Sequence, residues 1–154
     1  MAAYFVDSSG LVKCYANEIG SAWIMGITDA AAGNEIYVVR ITAVEVVSAL
    51  TRRARGGSIS SGDAATAIAS LKIDLGSDYE IIELTEALAD RAMSLAEKHA
   101  LRGYDAVQLA AGCELDEVLK ASGLPAITFV AADNALNSAA VAEGLAVDDP
   151  NTHP

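Results

Sequence analysis

The chain predicts an α/β domain, a three-layer α/β/α sandwich with a mostly parallel central sheet of four to five strands. Three observations carry that expectation. Short runs rich in β-branched residues, such as Ile36 to Val39, Ile81 to Leu84 and Ala126 to Ala131, alternate with longer Ala- and Leu-rich stretches. Strands separated by helices build a parallel sheet covered on both faces. Hydrophobic residues make up 53% of the sequence but aromatics only 5%, so the core must come from small aliphatic side chains, which suits helices packed closely on a sheet. Finally, 154 residues form one ordinary domain, and no repeat or linker divides them.

Each element follows from its own signals. Ala2 to Val6 is an apolar run that stops at Asp7-Ser8-Ser9-Gly10, a strand meeting a turn. Leu11 to Tyr15 and Ser21 to Ala32 have helical patterns, and Gly33-Asn34 is a stop signal. The second strand is Ile36 to Val39. A helix opening at Thr42-Ala43-Val44-Glu45 runs to Arg55 and breaks at Gly56-Gly57, and Gly56 to Gly62 is the clearest loop. Asp63 to Leu75 returns to helix, and Ile81 to Leu84 is the third strand. Thr85 caps a helix over Glu86 to His99. Another covers Tyr104 to Lys120 and ends before Gly123-Leu124-Pro125. Ala126 to Ala131 is the fourth strand, Asp133 caps a helix to Glu143, and Gly144 stops it. Leu145 to Val147 adds a short edge strand. The domain is expected over residues 1–148, with 149–154 as a frayed tail.

Composition narrows the functional classes. The longest stretch without a charge, Ala121 to Ala132, is twelve residues, too short to span a bilayer, which needs about twenty. Met1 to Val6 carries no basic segment, so no ordinary secretory signal is expected. Cys14 and Cys113 lie far apart without partner motifs, which points away from a disulfide framework or zinc site and toward the cytoplasm. The net charge of −11, from 21 acids and 10 bases, means long-range attraction will not by itself draw in a polyanion. Carboxylates that converge on divalent cations are compatible with that charge, and so is a basic protein partner.

Ligands of such sheets bind outside the carboxyl ends of the strands. Asp7 follows the first strand there and Asp133 the fourth, while Glu45 and Asp105 stand near helix starts. Four carboxylates from distant parts of the chain can thus meet at one rim. Such a cluster is costly alone, because like charges raise one another's pKa values. Mg²⁺ or Mn²⁺ relieves the cost and prefers carboxylate and water oxygens. Two ions about 4 Å apart can activate a water and steady the leaving oxygen of a phosphodiester. Each acid also has a simpler structural account. Asp7 suits an Asx-turn, Thr42-x-x-Glu45 fits a capping box, Asp105 complements a helix dipole, and Asp133 is a natural N-cap.

The residues around the acids are more specific. Tyr4-Phe5-Val6-Asp7-Ser8-Ser9-Gly10-Leu11 resembles the opening motif of the PIN domain family. Ile41-Thr42-Ala43-Val44-Glu45-Val46 resembles its second motif, Arg102-Gly103-Tyr104-Asp105-Ala106-Val107 its third, and Phe129-Val130-Ala131-Ala132-Asp133-Asn134 its fourth. All four occur in order across the chain. The length looks most like the toxin half of VapBC-type toxin–antitoxin pairs. That resemblance implies a Mg²⁺- or Mn²⁺-dependent endoribonuclease, a homodimer inhibited by a small antitoxin protein, with Asp7, Glu45, Asp105 and Asp133 as metal ligands. Ala131 departs from the family, which often has Thr two residues before the last Asp.

Around these four stand secondary candidates. Ser8 and Ser9 are read either as support for a metal-bound water or as a helix N-cap. Asn134 can reach the metal shell or lie exposed on a first helical turn. Arg102 can contact the scissile phosphate or be a loop charge. Arg52, Arg53 and Arg55, the only basic cluster, suit a helix C-terminus, with RNA contact as the alternative. His99 and His153 lie outside every motif, so histidine acid–base or Ser-His-Asp chemistry has little support. Cys14 and Cys113 read as buried thiols, and Trp23 as packing.

Two other classes compete. A haloacid-dehalogenase-type phosphatase wants a second Asp where Ser9 stands. A response-regulator receiver wants a phospho-accepting Asp after the third strand, where Leu84-Thr85 stands. A catalytically silent PIN-like binding module would not need all four acids.

Overall fold

The computed structural model describes all 154 residues. Its sheet has five strands: β1 (Ala3–Val6), β2 (Glu35–Val39), β3 (Glu80–Ile82), β4 (Thr128–Val130) and β5 (Ala146–Asp148). Their order is β3-β2-β1-β4-β5 and every neighbouring pair is parallel. Seven α-helices connect them: α1 (Ser8–Leu11), α2 (Ser21–Thr28), α3 (Arg40–Arg55), α4 (Ser61–Ser77), α5 (Glu86–His99), α6 (Gly103–Ala121) and α7 (Asn134–Ala142).

Alternation along the strands makes the three layers. Phe5, Val39 and Phe129 point into a core shared with α5, α6 and α7. Their neighbours Val6, Ile36, Val38 and Val130 point the other way, against Leu11, Ile24, Val46, Leu50 and Leu71 of the first half. With so few aromatics the first core packs tightly. The Phe5 and Phe129 rings stack with centroids 5.2 Å apart. A Cβ on Gly112 of α6 would stand 2.7 Å from the Phe129 ring, so this helix lies on β4 only because the position is glycine.

Several boundaries differ from the sequence expectation. The first helix begins at Ser8 rather than Leu11 and tightens into a 3₁₀ turn over Val12–Cys14. The stretch expected as one helix from Ser21 to Ala32 is α2 plus a separate 3₁₀ turn, because Asp29 leaves the helix and caps Ala31. Thr42 is not an N-cap. Helix α3 starts directly from β2 with Val39 at the cap position and no side-chain cap, which leaves Thr42 buried inside it. Thr85, Asp133 and the Gly144 turn act as expected.

The frayed tail is a correction too. Asp149 caps a 3₁₀ turn over Pro150–Thr152, Pro150 is buried, and the His153 ring stacks on Trp23 at 4.2 Å. Gly20, at φ +86°, lets this tail close. A side chain there would collide with the Pro150 carbonyl, 2.1 Å from the Cβ position, and the left-handed backbone itself favours glycine.

This topology positions the site. From β1 the chain moves outward through β2 to β3, then crosses back to β4 on the other side of β1 and ends at β5, so the direction reverses at the β1–β4 pair. Crevices at such switch points, beyond the carboxyl ends of the strands, are where ligands bind.

Candidate active site

Asp7 and Asp133 leave the adjacent central strands β1 and β4 at this crevice, and both are helix N-caps. Asp7 is 1% exposed. Its Oδ1 accepts from Ser9 Oγ at 2.7 Å and from the Gly10 amide at 3.0 Å. Asp133 Oδ1 accepts from the Leu136 amide at 2.9 Å. The N-cap expected of Asp133 is present, while Asp7, read as an Asx-turn, caps α1 instead; capping occupies one oxygen of each and does not exclude the second role.

Glu45 does not return a bond to its own helix start. Its Oε1 accepts from Gln108 Nε2 at 2.9 Å and its Oε2 from Ser8 Oγ at 3.1 Å. Gln108 also donates to Thr42 Oγ1 at 2.9 Å. A buried Thr–Gln pair bridging α3 and α6 thus aims the carboxylate. Neither residue stands among the sequence candidates. The signal was available for Gln108, which is three residues after Asp105 and therefore on the same helical face, a lone polar residue in an apolar stretch.

The serines have distinct positions, and neither caps. Ser8 reaches Glu45. Ser9 holds Asp7 and also accepts from the Ala132 amide at 2.8 Å, tying the β1–α1 turn to the β4–α7 turn. Arg102 precedes α6 at its cap position and lines the same cleft as Glu45, Asp105 and Asp133, about 330 Å³ in volume. Asn134 lies apart. It is exposed and lines a different depression with Asn137, Ser138 and Val141.

The four acids influence one another in sequence along the rim. Burial pushes the Asp7 carboxyl up to about 7, against the hydrogen bonds from Ser9 and Gly10 and with the help of the Glu45 charge. Burial also raises Glu45, opposed by Gln108 and Ser8 and reinforced by Asp105. Asp105 is raised by burial and by Asp133, and Arg102 works the other way. Buried and half-buried carboxylate oxygens that repel one another form the donor set that a hard divalent cation relieves. No three His, Cys, Asp or Glu side chains are close enough to form a ready-made metal cage. The fit is therefore one of donor chemistry and shared rim, with Glu45 and Asp105 on helices facing the two strand-end aspartates.

The family model described as PIN domain matches residues 4–141. The chain belongs to the PIN domain family. Among characterised relatives of this PIN domain, Ribonuclease VapC45 of Mycobacterium tuberculosis (strain CDC 1551 / Oshkosh) is 29% identical over 154 residues, all of both chains. Ribonuclease VapC49 of M. tuberculosis (strain ATCC 25618 / H37Rv) has the same identity and coverage. Of solved structures, PAE2754 from Pyrobaculum aerophilum superposes with a TM-score of 0.64 at 21% identity, covering 98% of this chain and 85% of that one. VapC20 of M. tuberculosis, a Sarcin-Ricin loop cleaving toxin, gives 0.62 at 18% identity over 98% and 99%. At those identities the superpositions establish the shared fold.

Proposed function

We propose that this PIN domain is a metal-dependent endoribonuclease, the toxin component of a type II toxin–antitoxin pair, and that Asp7, Glu45, Asp105 and Asp133 are its metal ligands. The ribonuclease relatives that align along the whole chain support the activity. The observation that carries the site assignment is the rim itself, where four carboxylates from the ends of β1 and β4 and the starts of α3 and α6 stand at the switch point of the sheet, and burial, reinforced by the neighbouring acids, raises the proton affinity of Asp7, Glu45 and Asp105. Mg²⁺ or Mn²⁺ matches an all-oxygen donor set.

When bound, the cation supplies positive charge opposite the phosphodiester and makes water a stronger nucleophile at neutral pH. The chain's own residues do the rest. Gln108 and Ser8 fix both oxygens of Glu45. Ser9 fixes Asp7 and the Ala132 turn together. Arg102, on the cleft wall, offers a forked guanidinium to a non-bridging phosphate oxygen. No histidine lines the cleft.

The partners assigned with this activity are an RNA substrate, a cognate antitoxin protein and a second copy of the chain as a homodimer. The solved VapBC2 complex of Rickettsia felis and the toxin–antitoxin complex of Klebsiella pneumoniae share the fold. No helix is long and apolar enough to cross a membrane, and the cytoplasm is the proposed place of action. The deciding experiment incubates the purified chain with a panel of RNAs. Cleavage should require Mg²⁺ or Mn²⁺ and stop with EDTA, and cleavage that persists in Asp105→Asn rules out the assigned site.

A further inference from the structure

Tyr104 and Glu45 each line two adjoining clefts. One is the carboxylate cleft. The other, about 440 Å³, is walled by Ser8, Glu45, Ser48, Arg52, Arg53 and Tyr104 among others. The two differ in charge, and helical spacing explains why. Glu45, Ser48 and Arg52 fall at i, i+3 and i+7 of α3, so they form one stripe. The carboxylate stands at one end and the guanidinium about 10 Å further along the axis.

The three arginines at the end of α3 are not equivalent. Arg53 pairs with Glu18, which also holds Lys13. Arg52 is exposed, faces the cleft, and takes part in no ion pair. Arg55 is also exposed and unpaired, but it does not line the cleft. Complementing the helix C-terminus suits all three; only the cleft separates Arg52 from Arg55. Tyr104 stands 59% exposed at the junction. A large aromatic face in water beside a phosphate-binding group is a platform for an unpaired nucleobase.

We infer that this second cleft is a subsite for single-stranded RNA, in which Arg52 holds the phosphate adjoining the scissile one and Tyr104 stacks the base between them. The inference rests on the nuclease reading above and names its substrate class. A chain with net charge −11 has no long-range field to hold RNA, so local cations must do so. The stacking platform demands a base free of pairing, which selects single strands and loops over duplex.

The test measures fluorescence anisotropy of a labelled single-stranded RNA of about ten nucleotides, in EDTA so that nothing is cut, over a range of salt. Arg52→Gln should weaken binding about tenfold and lower the salt slope by about 0.7, the value for one phosphate contact on a single strand. Tyr104→Leu should weaken binding about tenfold with the slope unchanged. Arg55→Gln should change neither, and a duplex of the same sequence should be insensitive to Tyr104→Leu. Equal effects of Arg52→Gln and Arg55→Gln overturn the subsite, as does wild-type binding too weak to detect. Full RNA affinity in both Arg52→Gln and Tyr104→Leu also overturns it and leaves the cleft to a protein partner. Cleavage of the same RNA by the wild type with Mn²⁺ is scored separately, so a failed subsite and a failed nuclease assignment give different results.

Discussion

Gln108 donates to Glu45 across the α3–α6 interface at 2.9 Å while fully buried itself. A partly buried carboxylate on a helix has several rotamers open to it, and this bond, shared with Thr42, selects one. Gln108→Leu keeps the volume and removes the donor. The expected result is a fall of about ten- to a hundredfold in the rate of RNA cleavage, the usual effect of losing a residue that orients a metal ligand. Thr42 Oγ1 also loses its partner, which costs about 1–3 kcal/mol of stability. Circular dichroism should still show a folded chain, and wild-type cleavage in that variant would remove Gln108 from its positioning role.

Ser9 performs the same office for Asp7, and for a second element. Its hydroxyl donates to Asp7 and accepts from the Ala132 amide, so one atom joins the turns that carry Asp7 and Asp133. Ser9→Ala should weaken Mn²⁺ binding by about tenfold or more in calorimetric titration. Ser9→Thr, which restores a hydroxyl, should recover much of it. Equal affinity in the wild type and Ser9→Ala means the link is structural only.

Packing of the second half is tested at Gly112. With Phe129 ring carbons 2.7 and 2.8 Å from the Cβ position, Gly112→Ala must displace α6 or the ring. Overpacking of this kind costs about 1–3 kcal/mol, read as a lower midpoint in urea. A midpoint at or above wild type contradicts the close approach.

Much of this was legible in the residues themselves, for reasons that differ by position. Asp7 and Asp133 follow apolar runs in a chain whose alternating elements dictate a parallel sheet, and the rule for such sheets places ligands at those ends. Thr42 was hidden by a local signal that loses to a tertiary one. Thr-x-x-Glu matches a capping box, yet α3 starts at Arg40 and both side chains turn to Gln108. Partners 63 and 66 positions apart leave no periodic trace. The ordered tail was hidden likewise, since nothing in its composition announces that His153 stacks on Trp23. The place of Tyr104 between the two clefts depends on how α3 and α6 lie together, which spacing within either helix does not determine.

Asp7 also couples stability to pH. Its carboxyl, raised from 3.8 to about 7 by burial, binds a proton in the folded chain that the unfolded chain has already lost. Between those two values the native state holds more protons, so the metal-free protein loses stability as pH rises through the window. Asp7→Asn removes the buried charge while its amide oxygen can still accept from Ser9 and Gly10. The variant should therefore melt higher than wild type in EDTA at pH 7.5, and the advantage should shrink toward pH 4. A tenfold difference in proton affinity between folded and unfolded chain is worth about 1.4 kcal/mol, so the gain at neutral pH is on the order of a few kcal/mol at most. Mn²⁺ should raise the melting temperature of the wild type and leave Asp7→Asn nearly unchanged. A wild-type chain equally stable across the window in EDTA would show that Asp7 is not a buried charge awaiting a cation.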